Sequence, residues 1–363
     1  MTSIVSPIKR NASLDYLRGL AATGVMLYHL SLFSFGESDA STLIARVKIY
    51  AVSIFYVLSG LTLFIANTKS LMLNKNSLVE FYLKRFFRIF PLLWLATFFT
   101  YLLKSSPEMY TIKHLIVNTM VLPGMIRSDA FEANGAWSIG NELFFYVLFP
   151  VFFFIYKKSN TYLLLAVVVI FAAFCVFTFK LIDPNINLGY QWSKYVNPFN
   201  QCFYFAIGIY MATFKKPIGW VVKFAPLLIV VCCAIIVLYP QSGEPVVLVT
   251  GITRLVLSAF VIAICYLFYM SEFNFFPSFL KTALKYLGDT SYAIYLIHPL
   301  VYMIVHGINE KYLHWSAYAE ITITVAITIP LSGLVYQYFE TYFMRLGKQT
   351  IDNRRAKIVK VAA

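Results

Sequence analysis

The sequence predicts an all-α, polytopic membrane protein, and its composition and aromatic content both point to that class. Of the 363 residues, 60% are hydrophobic and only 13% are charged, and the mean hydropathy is +0.72. A soluble domain is about 45–50% apolar and about 25% charged, so this chain has too few polar residues to cover a water-facing surface. The 34 Phe and 26 Tyr exclude a disordered chain, because disordered segments are poor in aromatic residues.

Ten apolar stretches predict the membrane-spanning helices, since a helix needs about 20 residues to cross a bilayer. They leave short loops and no room for a large second domain, so we expect one membrane domain over residues 1–363, with a core at about 12–345 and short tails. The third stretch is short, and its helix is expected to extend back through the basic run before it. The stretches are 14–34, 48–67, 89–104, 137–157, 161–180, 197–214, 219–240, 247–270, 286–307 and 316–343.

The distribution of Lys and Arg predicts the orientation. With the N-terminus in the cytoplasm, 20 of the 30 basic residues fall in inner segments and nine, among them Arg46 and Arg254, in outer segments. Basic loops stay in the cytoplasm, so the split favours ten spans with both termini inside. The net charge of +14 then reflects these loops, and we expect no nucleic-acid partner. The five Cys are expected to be buried, unpaired thiols.

The first stretch is too long and too polar for a cleavable signal and predicts a first transmembrane helix. It places Arg18 and His29 eleven positions apart. Eleven steps of a helix return to within about 20° of the starting direction, so both residues share one stripe, separated by about 16 Å. A neutral His can accept a proton from a hydroxyl near pH 7. The alternative is a His that hydrogen-bonds between helices.

Two further segments carry charges near the membrane. In FYLKRFFRIFPLLW, Arg85 and Arg88 share a helix face; Arg suits bidentate phosphate contacts, although an isolated pair is also typical of a cytoplasmic anchor. In NGAWSIGNELFFYVLFP, Trp137, Ser138 and Glu142 open a helix, where the dipole favours an anion. Glu142 could pair with an Arg or orient an imidazole, or it could be an interfacial residue.

Two weaker segments complete the set. SIFYVLSG ends at Gly60 with small residues, as close helix packing requires. LGDTSYAIYLIHP contains His298 beside Pro299, and this imidazole is either a second polar member of the site or, as we expect, a packing residue near a proline kink.

Together these five segments resemble, in order, the motifs of the acyltransferase-3 family of integral membrane acyltransferases, over about residues 12–345. LDYLRGLAATGVMLYHL is similar to its first-helix signature, FYLKRFFRIFPLLW to its RxxR stretch, and GAWSIGNELFFYVLFP to WSLxxExxFYLLxP. SIFYVLSG has Tyr56 where the family usually has Phe, and Ile139–Asn141 departs from the commoner Leu-Ser-Val. Residues 155–280 match only in hydropathy.

The resemblance implies transfer of an acyl group, expected to be acetyl, from acyl-CoA at the cytoplasmic face to a sugar hydroxyl of a surface polysaccharide or lipid-linked glycan. His29, as base or acyl carrier, Arg18 and Glu142 are the expected catalytic residues. Arg85, Arg88, Trp137 and Ser138 are the expected donor-binding residues, and no metal is expected. The alternative is a transporter or flippase for a lipid-linked sugar, which would also place charges inside a bundle.

Overall fold

The structure is a computed structural model, and it describes residues 11–68, 71–103, 135–214 and 219–362. These ranges are helical and contain no strand, which confirms the all-α prediction. The long helices are α1 (Ala12–Phe35), α2 (Leu43–Asn67), α3 (Lys75–Leu103), α4 (Ala136–Lys158), α5 (Asn160–Val176), α6 (Pro198–Met211), α7 (Gly219–Leu238), α8 (Gly251–Met270), α9 (Ser278–Asp289), α10 (Ser291–Ile308), α11 (Ala317–Leu334) and α12 (Thr341–Ala362). Helices α5, α10 and α11 each end in a π-helical turn, at Phe177–Leu181, Asn309–Leu313 and Val335–Glu340.

Eight helical stretches in the described ranges are long and apolar enough to cross a membrane. They correspond to eight of the ten predicted stretches. The other two are α1, with 24 residues, and α6, with 14 residues that are nearly all buried. Both helices pack against several others, so their polar side chains meet protein instead of lipid. The architecture is therefore that of a multi-pass helical membrane protein of about ten spans.

Three boundaries differ from, or refine, the sequence prediction. Helix α3 begins at Lys75, which confirms the extension through the basic run. The ninth stretch is broken at Thr290, whose N–H and side chain both bond to the Tyr286 carbonyl, so α9 and α10 are separate helices. The final span continues without a break into α12, which an Arg355–Glu80 ion pair (2.5 Å) holds against the start of α3.

Helices α2 and α6 cross closely because each contributes a glycine at the contact. A Cβ atom added to Gly60 would lie 2.1 Å from the Phe205 carbonyl oxygen, and one added to Gly208 would lie 2.1 Å from that of Val57. No side chain fits at either position, so the backbones touch. This confirms that the small residues of SIFYVLSG serve close packing.

Contacts between segments that are distant in the sequence form at both predicted ends of the bundle. At the predicted outer end, Asp39 accepts a hydrogen bond from the Gly243 N–H (2.8 Å), and its pKa is lowered mainly by hydrogen bonds from Ser41. At the predicted inner end, α12 meets the start of α3. The segment around Ser128, predicted to face outward, lies outside the described residues.

Burial refines two expectations about individual residues. Arg46 and Arg254, counted among the outer basic residues, are each only 2% exposed, so their side chains are buried in the bundle at the starts of α2 and α8. All five Cys are free, as expected, but only Cys202, Cys232 and Cys265 are buried; Cys175 is half-buried and Cys233 is exposed.

Candidate active site

Helix α1 carries the two central residues of the candidate site, Arg18 and His29, on one face. The helix begins where the Asn11 side chain accepts the Ser13 N–H, and it runs unbroken past both predicted residues. Arg18 reaches towards α2 and His29 towards α10. Both therefore face neighbouring helices, as the spacing of eleven predicts.

His29 meets a second imidazole in the interior of the bundle. Its Nδ1 lies 2.9 Å from Nε2 of His298, and the Nδ1 of His298 lies 2.8 Å from the Ile294 carbonyl oxygen. His298 has no exposed surface. The structure therefore brings His298 into direct contact with the residue that the sequence singled out most strongly, and both interpretations of this imidazole, a second polar member of the site or a packing residue, stay open.

Ser138 and Tyr295 lie beside this imidazole pair. The Ser138 hydroxyl is 2.6 Å from that of Tyr295, which donates to the Gly135 carbonyl (2.9 Å). The Tyr295 ring packs edge-on against His298, at 6.4 Å between ring centroids. Trp137, the neighbour of Ser138, instead packs against Trp192 at 5.5 Å between ring centroids.

A second polar group surrounds Arg18, towards the predicted cytoplasmic end. The guanidinium of Arg18 donates to Asp15 (3.2 Å) and to the Thr62 hydroxyl (3.5 Å). Glu142 accepts hydrogen bonds from Ser59 (2.7 Å) and from the Tyr146 hydroxyl, and interacts electrostatically with Arg18. A half-buried carboxylate is thus placed among cations and hydroxyl donors.

Arg85 and Arg88 lie at the same end of the site. The Arg85 guanidinium covers the Phe81 ring at 4.4 Å from its centroid and interacts electrostatically with Glu142. Arg88 is exposed and lies within electrostatic range of Arg18 and of the buried carboxylate of Glu340. Three guanidinium groups therefore converge on one region, which suits a ligand with several negative charges.

The structure divides the predicted site residues into two groups. Arg18, Arg85, Arg88 and Glu142 gather towards the predicted inner end, whereas His29 and Ser138 lie further along the bundle. Glu142 has no hydrogen bond to His29 in the described part of the chain, and Trp137 does not join the Arg residues.

Sequence reasoning missed Asp15, Ser59 and Tyr146 as polar partners in this site. Each had a signal that could have found it. Asp15 lies three residues before Arg18, Tyr146 lies four residues after Glu142, and Ser59 precedes the close-packed Gly60. The first two spacings place the side chains on one helix face.

The comparisons with known proteins agree with the motifs. The family model described as an acyltransferase domain matches residues 11–337. The acyltransferase MdmB of Streptomyces mycarofaciens is 25% identical over 383 aligned positions, covering 93% of each chain. No solved structure matches. The chain therefore belongs to the acyltransferase-3 family and is a multi-pass membrane acyltransferase.

Proposed function

We propose that this acyltransferase moves an acetyl group from acetyl-CoA to a sugar hydroxyl of a surface or exported polysaccharide, or of its lipid-linked precursor, at the bacterial inner membrane. The observation that carries the proposal is the position of His29: an imidazole inside the bundle, bonded to a second imidazole, on the helix that also carries Arg18. Intramembrane ionisable residues are functional by default because they are costly to insert.

The reaction needs one base and no redox chemistry. His29 takes the proton from the acceptor hydroxyl as its oxygen attacks the thioester carbonyl carbon. The carbon–sulfur bond then breaks, and the CoA sulfur leaves with the proton that His29 returns. The products are an O-acetyl ester and CoA. General-base catalysis of this kind contributes about 10²–10⁴-fold in rate.

The length of α1 supports a role for Arg18 in holding the donor instead of the reacting carbonyl. At a rise of about 1.5 Å per residue, Arg18 and His29 are about 16 Å apart, so a carbonyl beside His29 is beyond the reach of Arg18. The pantetheine arm of CoA is a long chain that can bridge such a distance. Arg18, Arg85 and Arg88 would hold the phosphates, while the thioester reaches His29.

Glu142 fits a supporting role at the phosphate end. Its electrostatic partners are Arg18 and Arg85, and its hydrogen bonds come from Ser59 and Tyr146. A carboxylate in this position keeps the guanidinium groups oriented and reduces their mutual repulsion. Glu142 is then a positioning residue for the donor-binding Arg cluster.

Transfer of radiolabelled acetyl groups tests the proposal. The purified protein, reconstituted in lipid vesicles, is incubated with [14C]acetyl-CoA and a glycan and lipid extract from source cells that lack the gene. We expect label in the extract that mild alkali releases, as it does from esters. Absence of transferred label, or movement of unmodified glycan across the vesicle membrane instead, would contradict the proposal and favour the transporter alternative.

A further inference from the structure

His298 is the feature of the interior that the proposed reaction does not yet use. It is fully buried on α10, and both of its ring nitrogens have partners: the Ile294 carbonyl at Nδ1 and His29 at Nε2. A His that merely filled space between helices would not need to present a nitrogen to the catalytic imidazole.

The partners of His298 decide where its proton lies. A carbonyl oxygen only accepts hydrogen bonds, so Nδ1 of His298 carries a proton and donates it to Ile294 (2.8 Å). In the neutral ring the other nitrogen is then an acceptor. A doubly protonated His298 would be a charge at 0% exposure, which is costly without a paired anion, and no carboxylate bonds to either ring among the described residues.

The state of His298 in turn fixes that of His29. Because Nε2 of His298 accepts, Nδ1 of His29 must donate across the 2.9 Å contact. The two ring planes differ by only 14° and the centroids lie 5.1 Å apart, which is the separation expected when two imidazoles meet edge to edge through such a bond. The proton therefore points along the acceptor lone pair, as a strong hydrogen bond requires.

We propose that His298 is a positioning residue that holds His29 in the tautomer protonated at Nδ1, so that Nε2 of His29 is the basic nitrogen. This rests on the proposed function of His29 as the base. The same hydrogen bond stabilises the positive charge that His29 gains during transfer, because it ends on the acceptor nitrogen of His298. The proton of His298 itself stays on Nδ1, where it is donated to the backbone.

A spectroscopic measurement tests the tautomer without any turnover. The protein is labelled with ¹⁵N-histidine in bilayers, and the His29 signals are assigned by their loss in His29→Gln. Nitrogen chemical shifts distinguish a protonated ring nitrogen from an unprotonated one. We expect His29 to be protonated at Nδ1 and unprotonated at Nε2. The reverse pattern would overturn the proposal, whether or not acetyl transfer is detected.

A matched pair of variants tests the role in catalysis. Gln and Met have similar size and flexibility, but only Gln offers an oxygen that can accept the His29 proton. We expect His298→Gln to keep most of the wild-type kcat. His298→Met should lower kcat by at least ~10-fold, towards the ~10⁴-fold seen when a catalytic His is held in the wrong tautomer. The KM for acetyl-CoA should stay unchanged in both.

Equal kcat values in the two variants, or a change confined to KM, would show that His298 does not position the base. Thermal stability measured on the same preparations separates this result from misfolding. If the wild type itself transfers no acetyl group, the proposed function fails, while the nitrogen shifts still decide the tautomer.

Discussion

Buried Arg side chains are held in two different ways in this protein. Arg46 donates to five backbone carbonyls at 2.5–3.2 Å. Its Nε bonds to the Ala40 carbonyl, and its other two nitrogens bond to carbonyls at and after the end of α7, those of Ile236, Val237, Tyr239 and Gln241. Arg18, in contrast, has one carboxylate and one distant hydroxyl as hydrogen-bond partners in the described structure. A guanidinium has five N–H donors, so Arg46 is saturated by the fold, whereas Arg18 retains donors for a ligand.

This difference predicts opposite effects of the same substitution at the two positions. Arg18→Lys keeps the charge but loses the planar fork, so we expect a higher KM for acetyl-CoA and an almost unchanged melting temperature. Arg46→Lys should reduce the free energy of unfolding by about 2 kcal/mol or more, because hydrogen bonds from a charged group are each worth about 1.5–3 kcal/mol. Thermal unfolding and acetyl-CoA titration on both proteins check this; a stability loss at Arg18 without a change in donor affinity would assign it to the fold.

The exposed end of the Arg cluster gives a second prediction. If Arg85 and Arg88 bind phosphates bidentately, Arg85→Lys and Arg88→Lys should each weaken binding of acetyl-CoA about tenfold, although the net charge is kept. Lys84→Gln is the matched control, since it removes a charge from the same turn of α3 without removing a fork. Wild-type donor affinity in both Arg variants would show that the pair is only a topological anchor.

At the scale of the element, the crossing of α2 and α6 is the most tightly specified contact. A methyl group at Gly208 would overlap the Val57 carbonyl, so Gly208→Ala must push the two backbones apart. Overpacking of this kind costs about 1–3 kcal/mol. We expect a clearly lower melting temperature in detergent.

The control for that substitution is Gly307 in α10, where an added Cβ would meet no atom within 4 Å. Because Ala is favoured over Gly in a helix by about 1 kcal/mol, Gly307→Ala should leave the melting temperature unchanged or raise it. If the two substitutions behaved alike, the close approach of α2 and α6 would not be as the structure shows.

The sequence predicted helices and helix faces better than helix neighbours. Hydropathy located nearly all long helices, and the spacing of Arg18 and His29 placed both on the interior face of α1. It could not show that α10 lies beside α1, because His29 and His298 are 269 positions apart and periodicity carries no information about distant contacts. For the same reason Glu142 was considered as a partner of His29, whereas its partners are Ser59 and Tyr146.

For the molecule as a whole, the orientation rests on the bias of basic residues in the sequence, with 20 in inner segments and nine in outer segments. Arg46 and Arg254 are buried, but each lies in the first turn of its helix, α2 or α8, where the positive-inside rule still counts basic residues. The cytoplasmic position of both termini therefore stays a prediction from the sequence.

Cysteine labelling from either side of the membrane checks this orientation. On a background without the five native Cys, we expect Lys75→Cys, at the start of α3, to react only after the membrane is opened. Ser242→Cys, in the exposed loop after α7, should react with an impermeant reagent in intact cells. Labelling of Lys75→Cys from outside would reverse the orientation and place the Arg cluster on the side without acyl-CoA.

The central claim is that His29 is the catalytic base, while the Arg cluster binds the phosphates of the donor elsewhere in the site. The most direct measurement compares kcat for acetyl transfer, acetyl-CoA affinity and melting temperature in the wild type, His29→Ala and His29→Gln, with His314→Asn as a control in an exposed turn at φ 52°. We predict a loss of about 10²–10⁴-fold in kcat for both His29 variants, with donor affinity and melting temperature retained and His314→Asn fully active. Near-normal turnover by a folded His29 variant would contradict the account.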